Sequence, residues 1–225
     1  RKPSRMTSVA MSRDYSLGEE VTHAISHGVA AVAAIVGLVF LVMKAAAVGG
    51  ALEITAVALY AGCMIFMFTA STLYHSLFQT KARDFFKMLD HSAIYFKIAG
   101  TYTPFALVTL PISLGAWVAA GAWSAALLGT VLKARAYVKK SAKNFSPVSL
   151  GLYLAMGWAA VLMMGELSDR LPGAAIWWII AGGLAYTLGA IFYALKKVPY
   201  THAVWHLFVV AGAVCHFIAI YLYVI

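Results

Sequence analysis

The 225-residue chain is 63% hydrophobic and only 11% charged, and its formal net charge is +9. Soluble domains are roughly 45–50% apolar and about 25% charged, so the composition excludes an ordinary soluble fold. The positive charge could indicate a nucleic-acid partner. However, the basic residues lie in short segments between long apolar runs, as membrane proteins arrange them to fix their orientation. We therefore expect membrane lipids, and no nucleic acid, as partners.

Apolar runs of about 20 residues, the length that a bilayer requires, recur along the whole chain. They predict an all-α integral membrane protein, in which a basic N-terminal segment, residues 1–18, precedes a seven-helix transmembrane domain, residues 19–225. The predicted helices in chain order are Val21–Met43, Leu52–His75, Leu89–Leu110, Leu114–Leu132, Val148–Gly165, Ala174–Leu195 and Thr201–Ile225.

The charges between the predicted helices indicate an orientation. The N-terminal segment and the loops after the second, fourth and sixth helices hold 14 of the 17 Lys and Arg residues, whereas the other loops hold only Lys44 and Arg170. Because positive residues accumulate on the cytoplasmic side, we expect the N-terminus inside and the C-terminus outside. An even number of spans would break the alternation, so the charges also favour seven. The basic loop 133–147 is expected to be solvated, or else to contact a partner or anionic lipid.

Ionisable side chains gather at the predicted inner ends of four helices. Polar groups inside a membrane are costly and usually functional. Here the topology brings them to one depth, near the cytoplasmic surface. The residues concerned are Glu19, Glu20, His23, His27, Ser71, His75, Asp90, His202 and His206.

The spacing of these residues favours a metal site. His202 and His206 are four residues apart and share a helix face, as do Ser71 and His75. Zinc-binding HExxH helices use the same histidine spacing. Three histidines around zinc leave a fourth position open for water, and Asp90 and Ser71 could then act as general base and hydrogen-bonding group. The alternatives are a surface histidine pair, a Ser71 bonded within its own helix, a snorkelling His75 and an Asp90 N-cap.

Further ionisable groups have open roles. His23 and His27 form a second pair on the first helix, or else Glu20 and His23 cap and anchor that helix. Lys97 is expected to snorkel to the inner headgroups, or to face a lipid phosphate or carboxylate. His216 lies about 15 Å deeper than the inner-face histidines at 1.5 Å per residue. It is expected to be a hydrogen-bonded interior histidine that lines a cavity.

Several stretches resemble the bacterial hemolysin III branch of the progestin and adipoQ receptor family. They are EExxHAISHG, STLYHS, LDHSAIYFKIAGTYTPF and HAVWHLFVVAGAVCHFIAIYLY, and the resemblance covers residues 15–225. It implies a multi-pass protein of the bacterial plasma (inner) membrane, with seven helices, an inside N-terminus and a Zn²⁺ ion near the cytoplasmic face. The zinc ligands that it assigns are His75, His202 and His206, with Asp90 and Ser71 around the zinc-bound water.

The resemblance also suggests functions. The wider superfamily includes alkaline ceramidases, and bacterial members are associated with membrane lipid homeostasis, so the first hypothesis is an intramembrane zinc hydrolase of acyl-lipid amide or ester bonds. The alternative is a non-enzymatic membrane sensor or receptor with structural zinc. A hemolysin-type pore-forming cytolysin is less favoured, because a secreted toxin must be water-soluble before it inserts. A transporter ranks lowest, since the polar groups stay on one side. The oligomeric state is not predicted.

Overall fold

The structure is a computed structural model that describes residues 15–139, 147–195 and 197–225. The described chain is almost wholly helical. The α-helices are α1 (Leu17–Val48), α2 (Ala51–Ser76), α3 (Arg83–Pro104), α4 (Ile112–Val138), α5 (Pro147–Trp158), α6 (Met164–Arg170), α7 (Gly173–Ala194) and α8 (Thr201–Ala219). Turns of π-helix at Phe105–Thr109 and Ile220–Val224 extend α3 and α8, and a 3₁₀ turn at Ala159–Met163 joins α5 to α6.

Six helical stretches of the described chain are long and apolar enough to cross a membrane. They are Leu17–Val48, Ala51–Ser76, Ile112–Val138, Val148–Arg170, Gly173–Ala194 and Thr201–Val224. The prediction of an all-α, multi-pass membrane protein is thereby confirmed. The remaining predicted span corresponds to α3, which is more polar because it carries five charged residues, Arg83, Asp84, Lys87, Asp90 and Lys97.

The first helix begins earlier than predicted because of its cap. The Ser16 hydroxyl accepts a hydrogen bond from the backbone N–H of Glu19 at 3.3 Å, and the Glu19 carboxylate accepts one from the N–H of Ser16 at 2.9 Å. This reciprocal pair is a capping box, and it starts α1 at Leu17 instead of Val21. The predicted domain boundary after residue 18 therefore falls inside a helix. Residues 1–14 of the basic segment lie outside the described residues.

Two other helices extend into predicted loops. α3 begins at Arg83, so Asp90 lies about two turns inside the helix, and the alternative that Asp90 is an N-cap is wrong. α4 continues to Val138, which makes Lys133 helical instead of part of a loop. Lys133 is also buried, with 4% of its surface exposed. Residues 140–146 of the predicted basic loop lie outside the described residues.

Helix packing brings the site together. α1 packs on α2, α2 on α3, α3 on α4 and α7 on α8, and α8 returns to pack against α1. Small residues allow the backbones to approach, as is usual between membrane helices. A Cβ at Gly100, for instance, would lie 2.8 Å from the Cβ of Cys63. As a result, the first turns of α1 and α8 lie beside the last turn of α2.

Candidate metal centre

Five histidines from three helices meet where α1 and α8 begin and α2 ends. The ring centroid of His23 lies 4.6 Å from that of His75 and 4.7 Å from that of His202. The ring of His27 stacks on that of His206 at 3.6 Å. We call His23, His27, His75, His202 and His206 the histidine cluster.

Three members of the histidine cluster are close enough to hold one metal ion. A ligand atom from each of His23, His75 and His202 lies within 4.8 Å of the others. His23 and His75 are 0% and 1% exposed. Three nitrogens have no hydrogen-bond partner among the described residues: both ring nitrogens of His23 and the Nε2 of His75. A buried polar atom without a partner costs about 1–3 kcal/mol, so these nitrogens fit a metal ion that would supply the missing bonds.

A buried carboxylate fixes the orientation of His75. The Oε2 atom of Glu20 lies 2.6 Å from His75 Nδ1, and both side chains are buried. Because a carboxylate only accepts hydrogen bonds, His75 donates through Nδ1 and keeps the lone pair on Nε2. Arg83 Nη2 lies 3.7 Å from the other oxygen of Glu20. Carboxylates in this position orient the histidine ligands of metal sites.

A hydroxyl group orients His206 in a similar way. Ser26 Oγ donates to the carbonyl of His23 at 2.9 Å, which uses its only proton. The 3.0 Å contact between Ser26 Oγ and His206 Nδ1 is therefore donated by the histidine ring. This leaves the lone pair of His206 on Nε2, where a metal ion could bind it.

Ser71 and Asp90 lie beside the histidine cluster on the wall of a cavity. Ser71 Oγ is 2.7 Å from His27 Nδ1, and both Ser71 and Asp90 line the cavity. The cavity has a volume of about 350 Å³, and its lining includes His202 and His206. Small-molecule pockets have volumes of roughly 300–1,000 Å³ and are mostly apolar, so the size suits a small organic ligand.

The structure thus brings together the five residues singled out from the sequence. Ser71, Asp90, His202 and His206 line the cavity, and His75 lies directly behind them, its ring 5.3 Å from that of His202. His75 is 1% exposed, so the alternative that it snorkels to the headgroups is wrong.

Glu20 and His23 were expected at the inner helix ends, but they were not among the predicted metal ligands or catalytic residues. Their signal was the spacing of Glu20, His23 and His27, which places all three side chains on one face of α1. The competing interpretation was that Glu20 and His23 cap the helix. The structure assigns that capping to Ser16 and Glu19, and it buries Glu20 and His23 in the histidine cluster.

Two further polar groups line the cavity away from the histidine cluster. Lys97 is 6% exposed and donates a hydrogen bond to the hydroxyl of Tyr186, so the prediction that it snorkels to the headgroups is wrong. His216 Nε2 donates to the carbonyl of Ile179 at 3.1 Å. The prediction of a hydrogen-bonded interior histidine at the cavity wall is confirmed.

Comparison with known proteins identifies the family. The haemolysin-III related family matches residues 15–217. A "Hemolysin-3 homolog" of Bacillus subtilis (strain 168) is 39% identical over 209 residues, which are 93% of this chain and 96% of that protein. "Hemolysin-3" of Bacillus cereus is 38% identical over 207 residues, 92% of each chain. The human "Monocyte to macrophage differentiation factor" is 32% identical over 165 residues, 70% of this chain and 65% of that protein. The chain therefore belongs to the haemolysin III group of the progestin and adipoQ receptor family, as its motifs predicted.

Proposed function

We propose that this protein is an intramembrane, zinc-dependent hydrolase of acyl-lipid amide or ester bonds that serves membrane lipid homeostasis. One observation carries the proposal: buried histidine nitrogens without partners lie next to Ser71 and Asp90 at one end of a largely apolar cavity. The family resemblance supports a lipid substrate. The cavity wall near this end includes Met67, Ile94 and Val209, which suit an acyl chain.

The zinc ligands in this proposal are His75, His202 and His206, which the motif implies, and the geometry offers His23 as a competing ligand. Imidazole nitrogens are ligands that zinc prefers. When bound, zinc polarises a carbonyl group and activates a water molecule. Glu20 keeps His75 in its donor orientation, so the lone pair on Nε2 remains available to the ion.

Asp90 and Ser71 handle the proton in this proposal. The Asp90 carboxylate accepts the proton of the attacking water, since it lies on the cavity wall close to the histidine cluster. In this proposal the Ser71 hydroxyl donates to the Asp90 carboxylate and accepts a hydrogen bond from His27 Nδ1, which lies 2.7 Å from Ser71 Oγ. The arrangement His27–Ser71–Asp90 would then position the base before substrate binds.

Metal analysis of the purified protein tests the centre. We expect about one zinc per chain in the wild type, as one site implies, and far less in His202→Ala. Comparing His23→Ala with His206→Ala separates the two ligand sets, because the variant that lacks a true ligand loses zinc. His91→Ala is the matched control, since the Nδ1 of His91 is bonded within its own helix. Zinc well below one per chain in the wild type, unchanged by His202→Ala, would contradict the centre.

Turnover tests the reaction. Zinc-loaded protein in nanodiscs is given lipids that carry an amide-linked or ester-linked dodecanoyl chain, and release of dodecanoate is followed. Asp90→Asn is expected to lower kcat by about 10²–10⁴-fold while zinc is retained, because a general base contributes that much. Absence of any hydrolysis by the zinc-loaded wild type would contradict the hydrolase.

A second candidate function has one observation in its favour. His23 and His75 are sealed from solvent, as the ligands of closed, structural zinc sites are. The protein would then be a membrane sensor or receptor in which zinc holds α1, α2 and α8 together. This function predicts that chelation lowers the unfolding temperature while lipid turnover is never seen.

The printed names of the Bacillus relatives raise a third candidate, a pore-forming cytolysin. A chain that is 63% hydrophobic speaks against a water-soluble precursor. Leakage from liposomes caused by protein that has never been in detergent would favour the cytolysin over the hydrolase.

The proposal includes a topology in the bacterial plasma membrane with seven spans and a cytoplasmic N-terminus. In it, α3 crosses the membrane in addition to the six apolar stretches. With its π-helical extension, α3 covers residues 83–109. That is roughly 40 Å at 1.5 Å per residue, enough for a hydrocarbon core of about 30 Å. The Asp90 and Lys97 side chains line the cavity, which spares them contact with lipid.

Cysteine labelling tests this topology. Thr80→Cys and Ile112→Cys mark the two ends of α3, each in a background with Cys63→Ala and Cys215→Ala. Both positions are exposed. An impermeant thiol reagent added to intact cells should label Ile112→Cys and leave Thr80→Cys unlabelled. Labelling of both from the same side would contradict the seventh span.

A further inference from the structure

A buried cation lies in the cavity away from the histidine cluster. Lys97 on α3 is 6% exposed, donates a hydrogen bond to the Tyr186 hydroxyl, and places its Nζ 3.6 Å from the centroid of the Tyr186 ring. Among the described residues, no carboxylate lies within ion-pair distance of it. An ionisable group inside a membrane normally pairs with a partner of opposite charge, and the part of the chain that the structure describes offers no such counter-ion to the Lys97 ammonium group.

An imidazole beside it also lacks a partner. His216 Nε2 donates to the carbonyl of Ile179, so Nδ1 carries the lone pair, and within the described chain Nδ1 is buried without a hydrogen-bond partner. The ring lies 5.5 Å from that of Tyr186. A Cβ at residue 182 would lie 2.4 Å from the His216 ring, so Gly182 is what admits the imidazole at this place. We call Lys97, Tyr186 and His216 the lysine pocket.

The lysine pocket and the histidine cluster line one cavity. Along α3, Lys97 is seven residues beyond Asp90, which is roughly 10 Å. Along α8, His216 is ten residues beyond His206, which is roughly 15 Å. The wall between them includes the apolar side chains of Ile98 and Val209. A ligand that lies along this wall therefore meets polar groups at the histidine cluster and again at the lysine pocket, with apolar groups between them.

We propose that the lysine pocket binds the carboxyl group of an acyl chain that lies along the cavity. A carboxyl group that enters with its proton satisfies both open groups, because one oxygen accepts from Lys97 Nζ while the O–H of the other donates to the lone pair on His216 Nδ1. The identity of the substrate rests in addition on the proposed hydrolase function. With that function, the substrate is an acyl chain with polar groups at both ends. Its scissile bond lies at the histidine cluster and its carboxyl group at the lysine pocket.

Binding of dodecanoate tests the lysine pocket. Dissociation constants are measured for dodecanoate and dodecanol in the His202→Ala background, which removes the metal end, with and without Lys97→Met. Loss of a charged hydrogen bond costs about 1.5–3 kcal/mol, so Lys97→Met should weaken dodecanoate binding by about 10–100-fold. Dodecanol binding should change by less than about two-fold, well under one charged hydrogen bond.

Lys44→Met is the matched control. Lys44 also donates to an oxygen of a tyrosine, the carbonyl of Tyr221, and lies 4.7 Å from that ring centroid, yet it is not among the cavity-lining residues. Its loss should leave dodecanoate binding unchanged. Equal binding of dodecanoate with and without Lys97 would overturn the proposal. So would dodecanol binding that depends equally on Lys97, or dodecanoate binding that is lost in His202→Ala.

Stability separates a binding role from a structural one. Lys97→Met removes an uncompensated buried charge, so the ligand-free variant should unfold at the same or a higher temperature than the wild type. A lower unfolding temperature would show that Lys97 holds the fold, and would overturn the proposal. Gly183→Val is a second variant, because a Cβ at residue 183 meets no atom within 4 Å and residue 183 lines the cavity. It should weaken dodecanoate and dodecanol alike.

Turnover distinguishes this proposal from the hydrolase proposal. Zinc-loaded protein is given the monomethyl ester of dodecanedioate, which has a carboxylate at its far end, and methyl dodecanoate, which does not. Lys97→Met should raise the KM of the first ester alone and leave kcat unchanged. If neither ester is hydrolysed while dodecanoate binding still depends on Lys97, the hydrolase fails and the lysine pocket stands.

Discussion

The two polar regions of the cavity hold their buried groups differently. In the histidine cluster, neighbouring side chains orient two of the rings through Nδ1: Glu20 lies 2.6 Å from His75, and Ser26 lies 3.0 Å from His206. In the lysine pocket, Lys97 contacts the hydroxyl group and the ring face of Tyr186. His216 Nδ1 has no hydrogen-bond partner among the described residues. Fixed rings with free lone pairs suit an ion that stays bound. Open donors and acceptors suit an organic group that enters and leaves, and this contrast can be tested at each end.

Removing the Glu20 charge should produce the largest change. Glu20→Gln weakens the hold on His75 Nδ1, and losing a partner of this kind typically costs 10–100-fold in metal affinity. Zinc affinity is measured by competition with a chelator. Glu166→Gln is the control, because Glu166 is exposed and its ion pair, with Arg170 at 3.4 Å, lies on α6 and includes no residue of the histidine cluster. If the two variants bound zinc with equal affinity, the claim that Glu20 orients His75 for metal binding would be contradicted.

Adjacent glycines test how tightly the lysine pocket is built. Gly182→Ala would place a Cβ 2.4 Å from the His216 ring, and such overpacking typically costs about 1–3 kcal/mol. Gly183→Ala meets no atom within 4 Å and should stabilise the helix by roughly 0.5–1 kcal/mol. Thermal unfolding of the two variants in nanodiscs measures the difference. Similar unfolding temperatures would mean that His216 can move freely, and the pocket would lose its fixed acceptor.

The smallest expected effect concerns Ser26. Ser26→Ala removes the acceptor for His206 Nδ1, a neutral hydrogen bond worth about 0.5–1.5 kcal/mol, so zinc affinity should fall by about 2–10-fold. Thr22→Ala is the control on the same helix, since the Thr22 hydroxyl bonds to its own helix at Gly18. A Ser26 variant that behaves like the Thr22 variant would favour His23 over His206 as the ligand.

The sequence predicted the helices better than their ends. Hydrophobic runs located the apolar spans, because a bilayer demands a fixed length of apolar chain. The α3 start at Arg83 was missed because charged residues there were interpreted as a loop. The prediction that Lys97 snorkels was wrong for a different reason. The sequence shows that a lysine lies in a helix, but only the packing of the helices shows that it contacts Tyr186.

The candidate site was likewise predicted only in part, since local patterns locate residues on a helix and helix packing decides which of them meet. Spacing predicted that His202 and His206 share one helix face and that Ser71 and His75 share another, and the alternation of the spans predicted that both pairs lie at one depth. The approach of α1 to α2 and α8 is a long-range contact that no local pattern encodes. For that reason His23 remained an open alternative in the sequence, although the structure places its ring 4.6 Å from that of His75.

The origin of the histidine cluster in α1, α2 and α8 has a consequence for biogenesis. His23 belongs to the first helix and His202 to the last, so synthesis must run from residue 23 to residue 202 before both are present. At 5–20 residues per second this interval is roughly 10–35 s. During this interval His23 and His27 are in the membrane before His202 and His206, which lie beside them in the folded protein, have been synthesised. In the proposed metal centre, ion loading is thus a late step, because a nascent chain that stops before α8 lacks the α8 histidines of the cluster.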